Sequence, residues 1–255
     1  VRVIQGDTDD IAYGTGTGAC RSIIVGGSAV FETTDRVIEK GRQIAAVLLE
    51  SAVEDLEFLD GHYAVAGTDR KIGFAGVVEH AGGIDARDRF QPNDFTYPNG
   101  THCCELEVDP ETGHVSIDRY VMVHDCGTPV NPMLVEAQLH GGVVHGLGQA
   151  FSEHLVYDRD SGQVLSGSFL DYGMPRADDI PAPSFLCELN PVPTMTNPLG
   201  AKAVGEAGVA ISPILAVNAV LDALRPLGVT DISMPMTPQK VRSAVAQATA
   251  PNGNS

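Results

Sequence analysis

The 255 residues carry 33 acidic against 16 basic side chains, a formal charge of −17, with 43% apolar and 19% charged residues. That composition describes a globular chain long enough for one large or two ordinary domains, and its 28 Gly and 16 Pro indicate turns rather than disorder. The acidic surplus, uninterrupted by any Lys/Arg block, argues against nucleic acid and anionic membrane partners.

Val1 and Val3 alternate as a short strand, without the zoning of a signal peptide or an initiator Met, so Val1 reads as an internal start. The strand leads into the glycine-rich loop Gly14-Thr15-Gly16-Thr17-Gly18. Over residues 27–50, Val30, Val37, Ile44, Val47 and Leu48 approximate helical spacing and predict a long helix, weakened in its middle by Gly41. Asp60-Gly61 between apolar runs predicts a hairpin, 71–80 a short helix and 85–100 a loop. Residues 102–108 and 115–123 flank Asp109-Pro110-Glu111-Thr112-Gly113 and predict a second hairpin. A glycine-rich helix is expected over 132–151, with Pro132 in its first turn, followed by paired strands around Leu155 and Val164. Then come a loop at 175–183, a strand at 185–189, a Pro/Asn-rich connection at 191–200 and a helix at 206–224. The best candidate for a membrane span, 209–224, is interrupted by Ser212, Pro213, Asn218 and Asp222, and none is assigned. The expected fold class is α+β: mixed sheets with covering helices over residues 1–250, in one or two intimately packed subdomains, with 251–255 a frayed tail.

Five cysteines, Cys20, Cys103, Cys104, Cys126 and Cys187, are odd in number and contain no C-x-x-C. Neither a disulfide framework nor an iron–sulfur or zinc pattern is present, and a reducing, cytoplasmic setting is the expectation. His102, His124, His140, His145 and His154 show no recognised ligand spacing, so no metal ligands are assigned. His140 and His145 fall on different faces of their helix, and Cys103 and Cys104 on opposite faces of a strand. Ser22, His124 and Asp125 form a hydrolase triad only on paper, since no G-x-S-x-G elbow accompanies them.

Three segments place glycines beside polar groups, where a main chain can approach a ligand closely: 14–22, 138–149 and 202–208. The first lacks the signatures of a P-loop or a dinucleotide fold, so taken alone it reads as a turn before a helix. Glu206, between Gly205 and Ala207 at the start of an apolar helix, has a plain reading as a first-turn acid that complements the helix dipole. Its functional reading is a carboxylate placed for close approach, as a general base requires.

Four ordered blocks change the balance: GDTDDIAYGTGTGACRSIIVGGSAV at 6–30, VHDCGTPVNPMLVEAQLHGGVVHGLGQA at 123–150, SFLDYGMPRADDIP at 168–181 and NPLGAKAVGEAGVAISPILAVNAVLDAL at 197–224. Together they resemble the C-terminal part of the molybdopterin-binding large subunit of the xanthine dehydrogenase, aldehyde oxidoreductase and carbon monoxide dehydrogenase family, the molybdenum hydroxylases. The resemblance implies an oxidoreductase that inserts water-derived oxygen into a substrate C–H bond, or oxidises CO, at a molybdenum–pterin centre. Glu206 matches the family's catalytic base. Thr17, Gly18, Ala19, Cys20, Arg21 and Ser22 would surround the pterin and its pyrophosphate, Gln138 would hydrogen-bond the cofactor, and Lys202, Ala203, Val204 and Gly205 would line its molybdenum side. Cys20 departs from the pattern, since many relatives have Ser there. The resemblance further implies the cytosine dinucleotide form of molybdopterin and an upstream N-terminal part of the large subunit. It also implies an iron–sulfur small subunit carrying the 2Fe-2S clusters and a medium subunit carrying FAD. The alternatives are a non-catalytic cofactor-binding or assembly module of the same fold and, further off, a histidine-dependent metallohydrolase.

Overall fold

The computed structural model describes residues 1–14, 16–180 and 185–250. Thr15, the end of the loop expected at 175–183 and the expected tail 251–255 lie outside the described residues. The chain divides into two compact units, Val1–Phe95 with Met195–Leu199, and Thr96–Thr194 with Gly200–Ser255.

In the first unit a π-helical turn, Ile23–Gly27, opens into α1 (Ser28–Leu48). The expected strand at Val1–Val3 does not form. Residues 1–5 are exposed and pair with no strand among the described residues, and period-two alternation cannot hold a strand without a neighbour. β1 (Leu56–Leu59) and β2 (His62–Val65) make the expected hairpin, with Asp60 and Gly61 both at positive φ, 48° and 74°, as a two-residue turn of this hand requires. The short helix expected at 71–80 is two elements, β3 (Lys71–Gly73), which pairs with β2, and α2 (Phe74–Ala81). Gly41 explains itself here. A Cβ there would lie 2.1 Å from Tyr63 Oη, and the fully buried Tyr63 crosses the helix at this point to donate to the Ile38 carbonyl at 2.8 Å.

The second unit is built on a three-stranded mixed sheet. β4 (Asn99–Val108) pairs antiparallel with β5 (Val115–Asp125), and β5 pairs parallel with β6 (Phe185–Leu189). α3 (Pro132–Phe151) starts where Asn131 accepts the Leu134 N–H at 3.2 Å and Pro132 fills the first turn, where no amide donor is needed. α4 (Ala207–Leu224) lies against α3, and α5 (Pro238–Thr249), capped by Thr237, completes the unit. The α+β class of the sequence therefore stands. The strands expected around Leu155 and Val164 reduce to one bridge, Tyr157 to Val164.

One core gathers Tyr120 and Met122 of β5, Leu139 and Val143 of α3, Val220 and Leu224 of α4, and Val241 of α5, all essentially inaccessible to solvent. By length and mean hydropathy, 1.8, Ala207–Leu227 would suffice to cross a membrane. Ser212, Pro213, Ala216, Val220 and Leu224 on its buried face are what the core uses.

Candidate functional site

The 17–22 loop belongs to the first unit, and Gln138 and the 202–206 segment belong to the second. In the loop, the Thr17 and Ser22 hydroxyls are hydrogen-bonded at 2.6 Å, the Arg21 N–H donates to the Gly18 carbonyl at 3.3 Å, and the Arg21 guanidinium donates to the Gly16 carbonyl at 3.4 Å. Ala19 and Cys20 both take left-handed backbone, φ 49° and 55°, a conformation that costs an L-residue about 1–2 kcal/mol. Cys20 is half-buried, while Thr17, Gly18, Ala19, Arg21 and Ser22 are exposed. A Cβ built on Gly14, Gly16 or Gly18 would meet nothing within 4 Å. These glycines are not filled by their own fold, so the main chain around them is open to a bound group.

The glycines of the other two segments behave differently. A Cβ on Gly142 would lie 3.0 Å from Gly208 Cα, one on Gly146 2.0 Å from Ser212 Oγ, and one on Gly208 2.6 Å from both the Leu139 carbonyl oxygen and the Val143 nitrogen. They let α3 and α4 touch backbone to backbone. Of the glycines expected to admit a ligand in 138–149, only Gly141 faces open space; Gly148 packs on Pro175. Sequence alone cannot separate a glycine kept for a ligand from one kept for a neighbouring helix.

This contact fixes where two of the candidate residues lie along the helix pair. As α3 advances from Gly142 to Gly146, its neighbour on α4 advances from Gly208 to Ser212, so the two helices run in the same direction. Gln138, one turn before Gly142, and Glu206, two residues before Gly208, therefore lie at the same end of the pair. Both are exposed. Glu206 occupies the N-cap position of α4 with φ −104° and ψ −1°, and its side chain makes no capping hydrogen bond.

The segment leading to Glu206 is tied to the end of β5. The Lys202 N–H donates to the Cys126 carbonyl at 2.7 Å, and the Thr128 N–H donates to the Gly200 carbonyl at 2.8 Å. The Lys202 ammonium meets Asp125 Oδ2 at 2.5 Å. Asp125 Oδ1 accepts the Gly127 N–H at 2.8 Å and the Val192 N–H at 3.0 Å. Burial pushes the Asp125 carboxyl up, but the Lys202 ammonium and the two N–H donors outweigh it and hold the group below the usual range. With both oxygens engaged in this way, Asp125 is not set up to orient a histidine, and the paper triad gains no support. This ion pair escaped the sequence reading because its partners are 77 positions apart.

The histidines are divided between core and surface. His124 is 4% exposed, on the face of β5 that packs under the helices, and among the described residues neither ring nitrogen has a hydrogen-bond partner of good geometry. His102 lies on the same face, its Nδ1 2.9 Å from Tyr120 Oη, and His140 stacks on Phe185 at 4.5 Å. His145 is exposed, as its spacing from His140 predicted, and Cys103 is exposed while Cys104 is half-buried on the opposite face. Burial pushes the Cys104 and Cys187 thiols up to about 11, so both stay protonated and unreactive near neutrality. Among the described residues no three His, Cys, Asp or Glu side chains converge as a metal-ligand set.

Burial lowers the pKa of His102 and of His124; for His124 the Ala203 main chain and the Asp125 carboxylate act in the opposite direction without cancelling it. A base whose folded-state pKa is lowered contributes stability that is complete above its ordinary value near 6.5 and declines as pH falls from there toward the lowered value. The melting temperature is therefore expected to fall between pH 7.5 and 5.5, well above the window where Asp125 takes up a proton. His124→Phe should flatten part of that slope. Equal slopes in the two proteins would show that His124 is not held neutral.

Comparison with known proteins adds three findings. The model of a molybdopterin cofactor-binding domain matches residues 1–181. The chain is 34% identical over 251 residues to the carbon monoxide dehydrogenase large chain of Hydrogenophaga pseudoflava and 34% identical over 254 residues to the nicotine 6-hydroxylase large subunit of Paenarthrobacter nicotinovorans; each match covers 94% of this chain and 31% of the relative. Among solved structures, a Cu,Mo-CO dehydrogenase superposes with a TM-score of 0.84 at 30% identity, over 94% of this chain and 31% of the other. The quinoline 2-oxidoreductase of Pseudomonas putida 86 does so with 0.81 at 32% identity, over 92% and 31%.

Proposed function

The chain belongs to the molybdopterin cofactor-binding domain family, and from that premise we propose that it is the C-terminal part of the catalytic large subunit of a molybdenum hydroxylase, with Glu206 as its base. The observation that carries this reading is the exposed Glu206 carboxylate at the N-terminal end of α4, at the same end of the helix pair as Gln138. The open glycines Gly14, Gly16 and Gly18 support the cofactor half of the proposal, because main-chain N–H groups left clear by glycine suit a pyrophosphate. The chain spans about a third of the relatives it matches, so the activity, substrate and partners of the whole protein are part of the proposal.

When bound, the molybdenum–pterin group supplies the two-electron acceptor for oxidising the substrate with oxygen drawn from water. Thr17 to Ser22 would hold its pyrophosphate end through amides and hydroxyls. The Gln138 amide, both donor and acceptor, suits a neutral pterin edge. Glu206 takes a proton onto its carboxylate as the water-derived oxygen is activated. The cytosine dinucleotide form of the cofactor, FAD and 2Fe-2S clusters on partner subunits, and a cytoplasmic location belong to the same reading. The likeness to dehydrogenase and hydroxylase large subunits supports the cofactor and partner calls, while the location rests on the cysteine pattern alone.

Turnover by the complete assembled enzyme in water enriched in oxygen-18, with an artificial electron acceptor, tests this reading. The expected product carries oxygen from water. Product whose oxygen comes only from molecular oxygen would overturn the water-oxygen chemistry, and a loaded enzyme inert toward CO, aldehydes, purines and N-heterocycles alike would leave the non-catalytic module as the better reading.

A further inference from the structure

Lys202 stands four residues before Glu206, and its ammonium is spent on Asp125, with each side chain only 11% exposed. The contact is one part of a larger clamp. The main chains on either side touch: a Cβ on Gly127, φ +67°, would lie 2.3 Å from the Gly200 carbonyl oxygen, and one on Gly200, φ +64°, would lie 2.7 Å from Thr128 Oγ1. Gly127 and Ala201 form a bridge, and the Gly200 carbonyl also accepts the Thr194 N–H at 3.1 Å. His124, the neighbour of Asp125, finds its own space because Gly100 has no side chain; a Cβ there would be 2.7 Å from His124 Nδ1. Only Ala203, Val204 and Gly205 separate this clamp from Glu206, and the Ala207 N–H, donating to the Val204 carbonyl at 3.1 Å, closes the turn into α4.

A buried ion pair is a poor device for stability, because the cost of desolvating two charges consumes most of their attraction. It does fix direction, since a carboxylate with four defined lone-pair sites accepts donors only at set angles. We propose that Asp125 and Lys202 are positioning residues that aim the 203–206 segment, so that the placement of the Glu206 carboxylate depends on this pair. The inference rests on Glu206 being the base.

The test uses the complete, assembled enzyme with rates compared at equal molybdenum content. Lys202→Met alone strands a buried carboxylate, so it is measured beside Asp125→Asn/Lys202→Met, which leaves no charge unpaired. Both are expected to lower kcat by about 10–100-fold, the scale of a small misplacement of a reacting group, with KM within about threefold of the wild type. Added to Glu206→Gln, the same double substitution should produce no further loss, because its effect runs through that carboxylate. Amide exchange over 201–207 should quicken by about tenfold while β5 and α3 keep their protection.

Unchanged kcat in the double variant would overturn the proposal. So would a loss expressed only as KM or cofactor content, an equal loss in the Glu206→Gln background, or unchanged exchange over 201–207. An active Glu206→Gln enzyme would instead remove the base assignment, and the exchange result would still report on the clamp.

Discussion

Glu206→Gln in the complete, cofactor-loaded enzyme is expected to lower kcat by about 10⁴-fold while folding and molybdenum content stay unchanged. The substitution keeps size and polarity and removes only the ability to take a proton. Loss of a general base commonly costs about 10²–10⁴ in rate, and the upper end applies because the proton removed is the one that creates the nucleophile. The side chain is exposed and glutamine keeps its hydrogen-bonding shape, so the change in stability is expected to be small. Steady-state turnover at equal molybdenum content decides it. A variant that keeps more than about a tenth of kcat, a barrier change of only about 1.4 kcal/mol, removes Glu206 from the catalytic role.

Gly208→Ala should have a large structural effect near the site. Its new Cβ would lie 2.6 Å from two main-chain atoms of α3, the Leu139 oxygen and the Val143 nitrogen. No side-chain rotation relieves that clash, so α4 must move off α3. Overpacking of this kind costs about 1–3 kcal/mol, a drop of roughly 2–10 °C in melting temperature for a protein of this size. Gly141→Ala is the control, because its Cβ meets nothing within 4 Å and alanine gains about 0.5–1 kcal/mol over glycine in a helix. Opposite signs are expected for the two variants on thermal unfolding. The shift of α4 also carries Glu206, two residues upstream, so turnover should fall by about 10²-fold or more. A Gly208→Ala protein that melts with the wild type would contradict the backbone contact between the helices.

Much of this architecture was legible because its signals are local. Asp60-Gly61 selects a hairpin turn by needing positive φ, Asn131-Pro132 starts α3, and the β4–β5 hairpin follows from alternation around Asp109 to Gly113. What was misread depends on neighbours that the sequence does not display. Val1 and Val3 alternate without a partner strand, Lys71–Gly73 became β3 because the open edge of β2 accepts it, and α5 carries too few apolar residues to be noticed without the core that Val241 and Val245 enter.

The site divides in the same way. Glu206 and Gln138 could be named from motif resemblance, but their sharing one end of a helix pair follows from glycine contacts that only the fold reveals. Lys202 could be singled out but not understood, because Asp125 had been considered only as a partner for histidine. The thiols of Cys104 and Cys187 are held inert by burial, which the sequence does not display.

The most direct measurement is the metal and nucleotide content of the complete subunit purified from molybdenum-replete cells, by elemental mass spectrometry and by chromatography of the acid-released nucleotide. The predicted result is molybdenum stoichiometric with the chain, accompanied by a cytidine nucleotide. A folded, assembled subunit that carries stoichiometric zinc or iron and no molybdenum would contradict it.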